Sequence, residues 1–317
     1  MMLTPLRRAA GMLVTLVVSS FVIFAAMYAA PGDPVTVLIG NPENMTPERV
    51  AAVRAQYHLD DSMLAQYWHW ATNALTGNLG ESAQYRQPVA DLMASRIPNS
   101  LALVAYATVL FAVFGIGLGV IAALRRGRAA DSIVVAATTL AASVPTFVIG
   151  IFLISQFSVR LGWFPVMGAG EGVLDKIHHL TLPALSLAIG ALAIVSRVTR
   201  QTMVEQLDAD HVSAARSFGV AERKIVTRHV LRNSWGPIIT MVALVVASLL
   251  AGTVVIESVF GISGVGALLV DAINAHDFAV VQAVLLYMVI GYMIVTTLVD
   301  LLLPLLDPRI NSKVSSS

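Results

Sequence analysis

Long stretches without any charged side chain are the feature that most constrains the fold of this chain. Six stretches of 20 or more residues contain no Asp, Glu, Lys or Arg. A helix needs about 20 mainly apolar residues to cross the hydrocarbon core of a membrane, and each stretch meets that requirement. The sequence therefore predicts an all-α polytopic membrane protein with six transmembrane helices, placed in the charge-free stretches 9–32, 97–124, 132–159, 177–196, 233–256 and 278–299.

The composition excludes several other classes of protein. Only 12% of the residues are charged and 57% are hydrophobic, whereas about 25% of an ordinary soluble domain is charged. A soluble fold of this size needs a more charged exterior. The net charge of +1 is too small for a nucleic-acid partner, which requires a strong basic excess. The 317 residues include no cysteine, which excludes disulfides, thiolate metal sites and cysteine nucleophiles.

Basic residues are distributed unevenly between the two sides of the predicted membrane. Six helices place both termini on one side, where the connecting segments hold 14 Lys and Arg residues, against 6 on the other side. Because basic segments tend to stay in the cytoplasm, both termini are predicted to be cytoplasmic, an N-in/C-in arrangement. The chain then divides into the N-terminus with the first helix (1–30), an external region (31–98), a transmembrane core (99–306) with a long cytoplasmic loop (199–234), and a cytoplasmic tail (307–317).

The first apolar stretch has a second interpretation as a cleaved signal peptide. Arg7 and Arg8 precede it, as basic residues precede the apolar part of a signal peptide. The run from Ala9 to Ala30 has 22 residues. The apolar part of a signal peptide usually has about 7–15 residues. The length therefore favours a retained transmembrane helix.

The predicted external region contains two helix signals and a group of aromatic residues. Thr46-Pro47-Glu48 begins one helix, with Thr as its cap and Pro at its first position. A second helix is expected to begin near Asp61 and carries Tyr67, Trp68 and Trp70. Aromatic residues of this kind prefer the membrane interface, so simple anchoring is the favoured interpretation. A lid or a docking surface for a soluble partner is the alternative.

Helix-breaking and polar residues interrupt two of the predicted spans. Ser143 and Pro145 lie inside the third span, where the proline is expected to kink the helix. Such breaks often line a cavity, and a kink that serves packing alone is an equally common alternative. Glu257 and Ser258 lie at the external end of the fifth span, and an ionisable group there is a functional candidate. We expect Glu257 to reach the interface and to bond the backbone of the following Gly-rich turn. Contact of Glu257 with a substrate ammonium is the alternative. Ser143, Pro145, Glu257 and Ser258 are therefore the candidates for lining a path through the membrane.

A short acidic and His-containing segment has residue types that occur in metal sites. Glu171, Asp175 and His178 would share one face of a helix, and with His179 they offer the ligand types of a divalent cation. The segment begins in Gly-rich sequence, and paired His residues at the end of a membrane helix are often just interfacial. The sequence therefore predicts no metal site here.

The cytoplasmic loop between the fourth and fifth spans carries the most informative pattern. Ser213-Ala214-Ala215-Arg216-Ser217-Phe218-Gly219 is followed by a basic amphipathic run that ends at Arg232. Two small alanines allow another surface to approach closely, and Gly219 can adopt the left-handed conformation that ends a helix. The pattern predicts a short helix over 214–218, a glycine turn and a second helix over 220–232. Orientation alone explains the basic charge of such a loop but does not explain this order of residues.

This loop resembles the EAA loop of ABC importer membrane subunits, in which Glu-Ala-Ala is followed by three residues, Gly, nine residues and Ile-x-Leu-Pro. The match lies at Ala214, Ala215 and Gly219, whereas Ser213 stands where Glu is expected and His229-Val230-Leu231-Arg232 replaces the final motif. The peptide-importing branch shows similar departures. Other segments resemble the first membrane subunit of dipeptide and oligopeptide permeases, in this order along the chain: Pro31-Gly32-Asp33-Pro34, Gln66-Tyr67, Gly77-Asn78-Leu79-Gly80, Pro88-Val89, Arg96-Ile97-Pro98, Glu257-Ser258-Val259-Phe260, Gly264-Val265-Gly266 and Asp307-Pro308-Arg309.

The resemblance implies a type I ABC importer permease fold in the bacterial cytoplasmic membrane. In such importers two similar membrane subunits, here expected to be different chains, pair with two cytoplasmic ATPases and an external binding protein. The chain lacks a Gly-x-x-x-x-Gly-Lys-Ser/Thr loop, so ATP and Mg²⁺ are expected in the partner ATPases and no cofactor in this chain. The loop would dock in a groove of the ATPase as a coupling helix, which implies these coupling residues: Ser213, Ala214, Ala215, Arg216, Gly219, Arg223 and Arg228.

The resemblance also implies a function without enzymatic activity in this chain, namely the import of dipeptides or oligopeptides. Nickel, haem and glutathione are alternative substrates within the same wider family. A stand-alone channel or secondary transporter is the alternative from another class, but such proteins usually place charged groups within their helices, and all six spans here are free of them. An intramembrane hydrolase lacks support because neither His-Glu-x-x-His nor Gly-x-Ser-x-Gly occurs.

Overall fold

Helices are the regular elements of the protein in the computed structural model, which describes residues 3–28, 35, 45–56 and 59–306. Pairing between strands is limited, within these ranges, to one isolated bridge between Glu81 and Pro88. The helices are α1 (Leu3–Tyr28), α2 (Pro47–Gln56), α3 (Met63–Leu75), α4 (Val89–Leu124), α5 (Ala129–Ser143), α6 (Thr146–Leu153), α7 (Gly172–Leu207), α8 (Asp210–Ser217), α9 (Glu222–Ile225), α10 (Leu231–Val259), α11 (Val265–Asn274) and α12 (Phe278–Leu306).

Five helical segments of the described chain are long and apolar enough to cross a membrane. They are α1, α4, α7, the continuous segment Glu222–Val259 that joins α9 to α10, and α12, with mean hydropathies from 1.8 to 2.6. A sixth span is formed if α5 and the segment Thr146–Arg160, which are bent by 94°, count as one. The all-α fold is therefore confirmed with five to six spans, and the predicted third span is broken into two helices rather than merely kinked.

The break in the third span follows from the local chemistry of Pro145. Val144 has ψ 128°, because the residue before a proline is pushed out of the helical region. Pro145 then starts the next helix, and its carbonyl oxygen accepts hydrogen bonds from the amides of Val148 and Ile149 at 3.0 and 3.2 Å. A π-helical segment, Ile154–Arg160, completes the span.

Proline does not break every helix in which it lies. Helix α4 begins at Val89 rather than near residue 97, because it continues through Pro98. A proline inside a helix removes one backbone hydrogen bond. Packing against neighbouring helices can offset that loss in a membrane protein. Pro183 in α7 and Pro237 in α10 likewise lie inside transmembrane helices.

The described chain groups into two compact units, of which one comprises Ser100–Ile262 and Tyr292–Ser317. Its core is built around α7, which packs most extensively against α10 and is the most buried of the five long apolar segments. Glycines allow α4 to approach α7 closely, since a Cβ atom at Gly119 would lie 2.5 Å from the Cβ atom of Thr199. Gly115 lies one turn earlier on the same face, a spacing typical of close helix pairs in membranes.

The other unit comprises Met1–Asn99 and Ser263–Gly291. Here α3 packs against α1, with the hydroxyls of Tyr67 and Ser20 2.9 Å apart and the Tyr67 ring 5.2 and 5.7 Å from those of Phe21 and Phe24. Trp68, in contrast, is 67% exposed. The predicted aromatic group is thus split between packing on α1 and an outward surface.

The predicted helix starts in this unit agree with the structure. The Arg49 amide donates a 3.3 Å hydrogen bond to the Thr46 hydroxyl, and Pro47 is the first residue of α2, as predicted. Helix α3 begins at Met63, two residues after Asp61, with the hydroxyl of Ser62 as its cap.

Candidate coupling segment and translocation residues

A tight turn at Gly219 separates α8 from the next helix. Gly219 has φ +73°, the left-handed conformation that the sequence predicted, and a Cβ atom there would meet no atom within 4 Å. The amide of Gly219 donates to the Arg216 carbonyl at 3.0 Å, and that of Val220 donates to the Ala215 carbonyl at 3.1 Å. These bonds satisfy the free carbonyls at the end of α8, as in a glycine-terminated helix.

The helices around this turn differ in extent from the prediction. The short helix is Asp210–Ser217 rather than 214–218, and α7 extends to Leu207, so much of the predicted loop 199–234 is helical. After the turn, α9 passes through the π-helical segment Val226–Val230 directly into α10. The turn is therefore connected to the membrane by uninterrupted helix on its C-terminal side.

An apolar cluster of this chain itself holds α8 in place. Val212, Met203, Ile225 and Val230 are each 0% exposed and pack together. Ala215 is partly buried against the same cluster. Its small side chain therefore serves packing within the chain, and a contact of Ala215 with a partner stays a prediction.

The outward side of α8 and its turn is formed by small residues and one aromatic residue. Ser213, Ala214 and Ser217 are exposed. Phe218 is 87% exposed, the largest value among the large hydrophobic side chains of the described residues. Motif comparison did not single out Phe218, although an aromatic residue beside the turn glycine in a basic segment was a visible signal. Aromatic residues are among the types enriched at the energetic centres of protein interfaces, which makes Phe218 a candidate for a contact with another protein.

The charged residues of the segment fall into paired and unpaired groups. Arg216 forms two hydrogen bonds with the Glu222 carboxylate, at 2.7 and 3.1 Å, and this carboxylate raises the pKa of Arg216. Arg223 and Arg228 are exposed. Neither side chain has an ion-pair partner among the described residues. The Arg216 side chain thus binds Glu222 across the turn, whereas the exposed side chains of Arg223 and Arg228 can contact a partner.

Two further ion pairs connect the C-terminal part of α7 and its cap residue Asp208 to the turn between α4 and α5 and to the first turn of α5. Arg126 lies 2.6 Å from Asp208, in an exposed pair. Arg200 binds Asp131 through two hydrogen bonds of 2.6 and 2.8 Å, and the Asp131 side chain is only 7% exposed. The amide of Gly127 donates a third bond, of 3.0 Å, to Asp131.

Comparisons with known proteins assign the chain to a family. Residues 1–104 match the family described as the N-terminal part of binding-protein-dependent transport system membrane components. Residues 115–312 match the family described as the binding-protein-dependent transport system inner membrane component. The chain belongs to this family of importer permeases.

Relatives support the assignment along nearly the full length of the permease. It is 37% identical over 308 residues to the glutathione transport system permease protein GsiC of Shigella flexneri serotype 5b (strain 8401), covering 97% of this chain and 98% of the relative. The corresponding protein of Escherichia coli (strain K12) gives the same identity and coverage. The permease is therefore a multi-pass inner-membrane transport subunit of an ABC importer, not an enzyme, and its partners include an ATPase, which binds the ATP, and a binding protein.

Solved structures confirm the fold of the permease. A chain of the inward-facing MetNI methionine ABC transporter matches with a TM-score of 0.58 at 18% identity, over 68% of this chain and 96% of that chain. A chain of an amino acid ABC transporter with histidines matches with a TM-score of 0.53 at 15% identity, over 67% and 93%. At this identity the similarity supports the fold alone.

The four candidate path residues of the permease lie in different environments. Ser143 and Pro145 are exposed at the break between α5 and α6, where the Ser143 hydroxyl donates to the Thr139 carbonyl at 2.9 Å. Ser258 is also exposed. Glu257 is 0% exposed and accepts a 2.7 Å hydrogen bond from the Ser100 hydroxyl. The expectation that the Glu257 side chain reaches the interface is therefore wrong, and it fastens α10 to α4 instead.

The acidic and His residues between Glu171 and His179 have other contacts in the permease. The Glu171 amide donates to the Asp175 carboxylate at 2.8 Å, and His179 Nδ1 lies 3.2 Å from the same carboxylate. His178 Nε2 lies 2.9 Å from the Trp163 carbonyl oxygen. Glu171 precedes the first residue of α7, so it does not share a helical face with the others. In the part of the chain that the structure describes, no group of three or more such residues could hold a metal ion.

Proposed function

We propose that the permease forms, together with a second homologous subunit, the membrane path for short peptides that an external binding protein delivers. The observation that carries this proposal is the 37% identity to the glutathione permeases over 97% of the chain. Glutathione is a modified tripeptide, so a substrate of this size and chemistry fits both the relatives and the peptide-permease motifs. Two ATPase subunits would drive the cycle.

Glutathione is the specific substrate that the relatives favour within this proposal. Identity of 37% over the whole length supports a shared architecture more strongly than a shared ligand, because recognition is largely a property of the binding protein. Dipeptides and longer oligopeptides therefore stay within the proposed class. Nickel and haem are the alternatives from other chemical classes.

Uptake by a reconstituted importer tests the substrate class. The permease, its partner membrane subunit and the ATPases would be placed in vesicles with the cognate binding protein outside and ATP inside. We expect uptake of labelled glutathione or of a di- to oligopeptide, and competition among these compounds. Uptake of nickel or haem that an excess of peptide does not reduce would contradict the proposal.

We also propose that α8 and the Gly219 turn form the contact that couples ATP hydrolysis to movement of the membrane helices. The exposed side of this segment supports the proposal, since it combines Ser213, Ala214 and Phe218 with the exposed Arg223 and Arg228. The buried side supports it as well, because the Val212 cluster and the uninterrupted helix Glu222–Val259 connect the segment mechanically to a membrane span.

The proposed orientation places this coupling segment in the cytoplasm and residues 31–98 outside. Its support is the excess of basic residues in the segments assigned to the cytoplasm, together with the ATPase partner that the family implies. An ATPase can contact the coupling segment only on the side that holds ATP. The orientation and the coupling proposal therefore depend on the same side of the membrane.

A further inference from the structure

Hydrogen bonds close a loop of the predicted external region and hold its backbone in one conformation. Backbone hydrogen bonds join the Val89 amide to the Gly80 carbonyl and the Ser82 amide to the Gln87 carbonyl, each at 3.0 Å. The Arg86 amide donates to the Ser82 carbonyl at 2.9 Å. We name residues 80–89 the external hairpin. Its backbone is fixed by these bonds although only its last residue, Val89, belongs to a helix.

A buried carboxylate from a distant part of the chain anchors this hairpin. Asp277 is 1% exposed and accepts hydrogen bonds from the Ser82 hydroxyl at 2.5 Å and from the Gln84 amide at 3.1 Å. Ser82 is itself 2% exposed, and its hydroxyl oxygen accepts a bond from the Tyr85 amide at 2.9 Å. Buried hydrogen bonds to a charged group are among the stronger contacts in proteins, so the hairpin is held in one conformation.

The anchored hairpin imposes an unfavourable backbone conformation on Arg86. Arg86 has φ +51°, in the left-handed region where glycine is the usual residue. Among the described residues, only Arg86 and His276 combine positive φ with a side chain, and His276 directly precedes the anchoring Asp277. Strained positions of this kind persist where the surrounding structure determines them, and they cluster at functional sites.

The side chain that this strained position carries is exposed and has no ion-pair partner among the described residues. The neighbouring Arg96 differs, because its guanidinium carbon lies 6.0 Å from the centre of the Tyr85 ring. A glycine at position 86 would remove the strain, whereas arginine keeps an exposed guanidinium at this fixed position. Guanidinium binds carboxylates with two parallel hydrogen bonds, and a fixed backbone reduces the ordering cost of that contact.

We propose that Arg86, held by the external hairpin, docks the binding protein by pairing with a carboxylate on its surface. The family requires an external binding protein, and the proposed orientation puts residues 31–98 on its side of the membrane. The inference rests on that orientation, and it names the contact within the proposed function. A membrane surface is a weaker fit, because anionic lipids attract clusters of about 4–8 basic residues. The hairpin has one exposed arginine and also the exposed Glu81.

The association rate of the binding protein with the reconstituted importer tests this contact. The probe is the purified binding protein of the same transport system, identified by its stimulation of ATPase activity. Arg86→Gly should lower the association rate roughly threefold or more at low ionic strength, and the difference should shrink as salt rises. Glycine accepts the left-handed conformation without strain, so the hairpin is retained in this variant. Arg86→Lys should recover part of the rate because it keeps the charge.

A matched control separates the hairpin from the general charge of the region. Arg49→Ala removes the same charge from an exposed position in α2, and its association rate should equal that of the unchanged permease. Equal rates and equal salt dependence for Arg86→Gly and the unchanged permease would overturn the proposal. The proposal would also be overturned if Arg86→Gly left docking unchanged but lowered the binding of the permease, without the other importer subunits, to vesicles of anionic phospholipid.

The orientation on which this inference rests has its own readout. The chain contains no cysteine, so Gln87→Cys introduces a single thiol beside Arg86. A membrane-impermeant maleimide added outside intact cells should label it. External labelling together with unchanged docking of Arg86→Gly would reject only the docking contact, whereas labelling solely after the membrane is opened would reject the orientation and the inference together. Neither result depends on which peptide the importer carries.

Discussion

The Arg216 guanidinium and the Glu222 carboxylate face each other across the Gly219 turn, with Nη2 2.7 Å from Oε1 and Nε 3.1 Å from Oε2. Both side chains are partly exposed, at 44% and 58%, so solvent screens the pair. Such pairs contribute about 0–1 kcal/mol. The conformation of Gly219 therefore constrains the turn more strongly than this ion pair does.

Gly219→Val is expected to uncouple ATP hydrolysis from uptake. A β-branched residue at φ +73° raises the free energy of the turn by about 1–2 kcal/mol, which favours rearrangement of the exposed segment. The measurement is ATPase activity and substrate uptake in the same reconstituted vesicles. We expect hydrolysis to continue while uptake falls.

The control for this variant is Gly127→Val in the turn between α4 and α5. Gly127 has the same φ of +73°, and a Cβ atom there also meets nothing within 4 Å, so the strain is matched. Arg223→Ala removes only an exposed charge and should change coupling by at most about fivefold. If Gly127→Val uncoupled the importer as strongly as Gly219→Val, the effect would be general strain and the coupling proposal would lose its basis.

Phe218→Ala is expected to weaken assembly with the ATPase without destabilising the permease. The side chain is 87% exposed, so its removal leaves no cavity in the described structure. An aromatic anchor in a protein interface often contributes more than about 2 kcal/mol of binding free energy. The amount of ATPase that co-purifies with the permease measures the effect, and Phe218→Leu should retain part of it. Full co-purification and normal uptake in Phe218→Ala would show that this side chain is not an anchor.

Tryptophan substitutions at the two alanines of α8 should have different effects. Ala215 packs against the Val212 cluster, so Ala215→Trp should overfill it and cost about 1–3 kcal/mol of stability. Ala214 is exposed, so Ala214→Trp should leave the thermal unfolding midpoint unchanged but reduce binding of the ATPase by steric hindrance. Thermal unfolding in detergent and ATPase co-purification distinguish the two outcomes. Identical unfolding midpoints for both variants would contradict the packing assigned to Ala215.

Removal of the Asp131 carboxylate should destabilise the permease far more than removal of the Asp208 carboxylate. Asp131→Ala takes away two bonds to Arg200 and one to the Gly127 amide in a nearly buried site, a loss of about 2–4 kcal/mol. Asp208→Ala breaks an exposed pair with Arg126, worth about 0–1 kcal/mol. Thermal unfolding of the purified variants provides the comparison. Similar midpoints would mean that the Asp131 site is more hydrated than its burial indicates.

Features with a local physical cause could be predicted from the sequence. A membrane helix needs a long stretch without charge, and such stretches are visible in the order of residues. A left-handed turn needs glycine, which pointed to Gly219, and a helix start needs a cap, which pointed to Thr46. The motif order along the chain indicated the importer family, and two family matches and the relatives confirmed it.

Features that depend on contacts between distant residues were decided only by the tertiary structure. Pro145 separates two helices whereas Pro98 lies inside α4, although each proline follows a β-branched residue in a charge-free stretch. Ala214 and Ala215 are adjacent and identical, yet the first faces outward and the second packs on Val212. Asp277 holds Ser82 from 195 residues away. Sequence determines where helices and turns can form, whereas burial and pairing depend on which surfaces meet, and no local pattern specifies that.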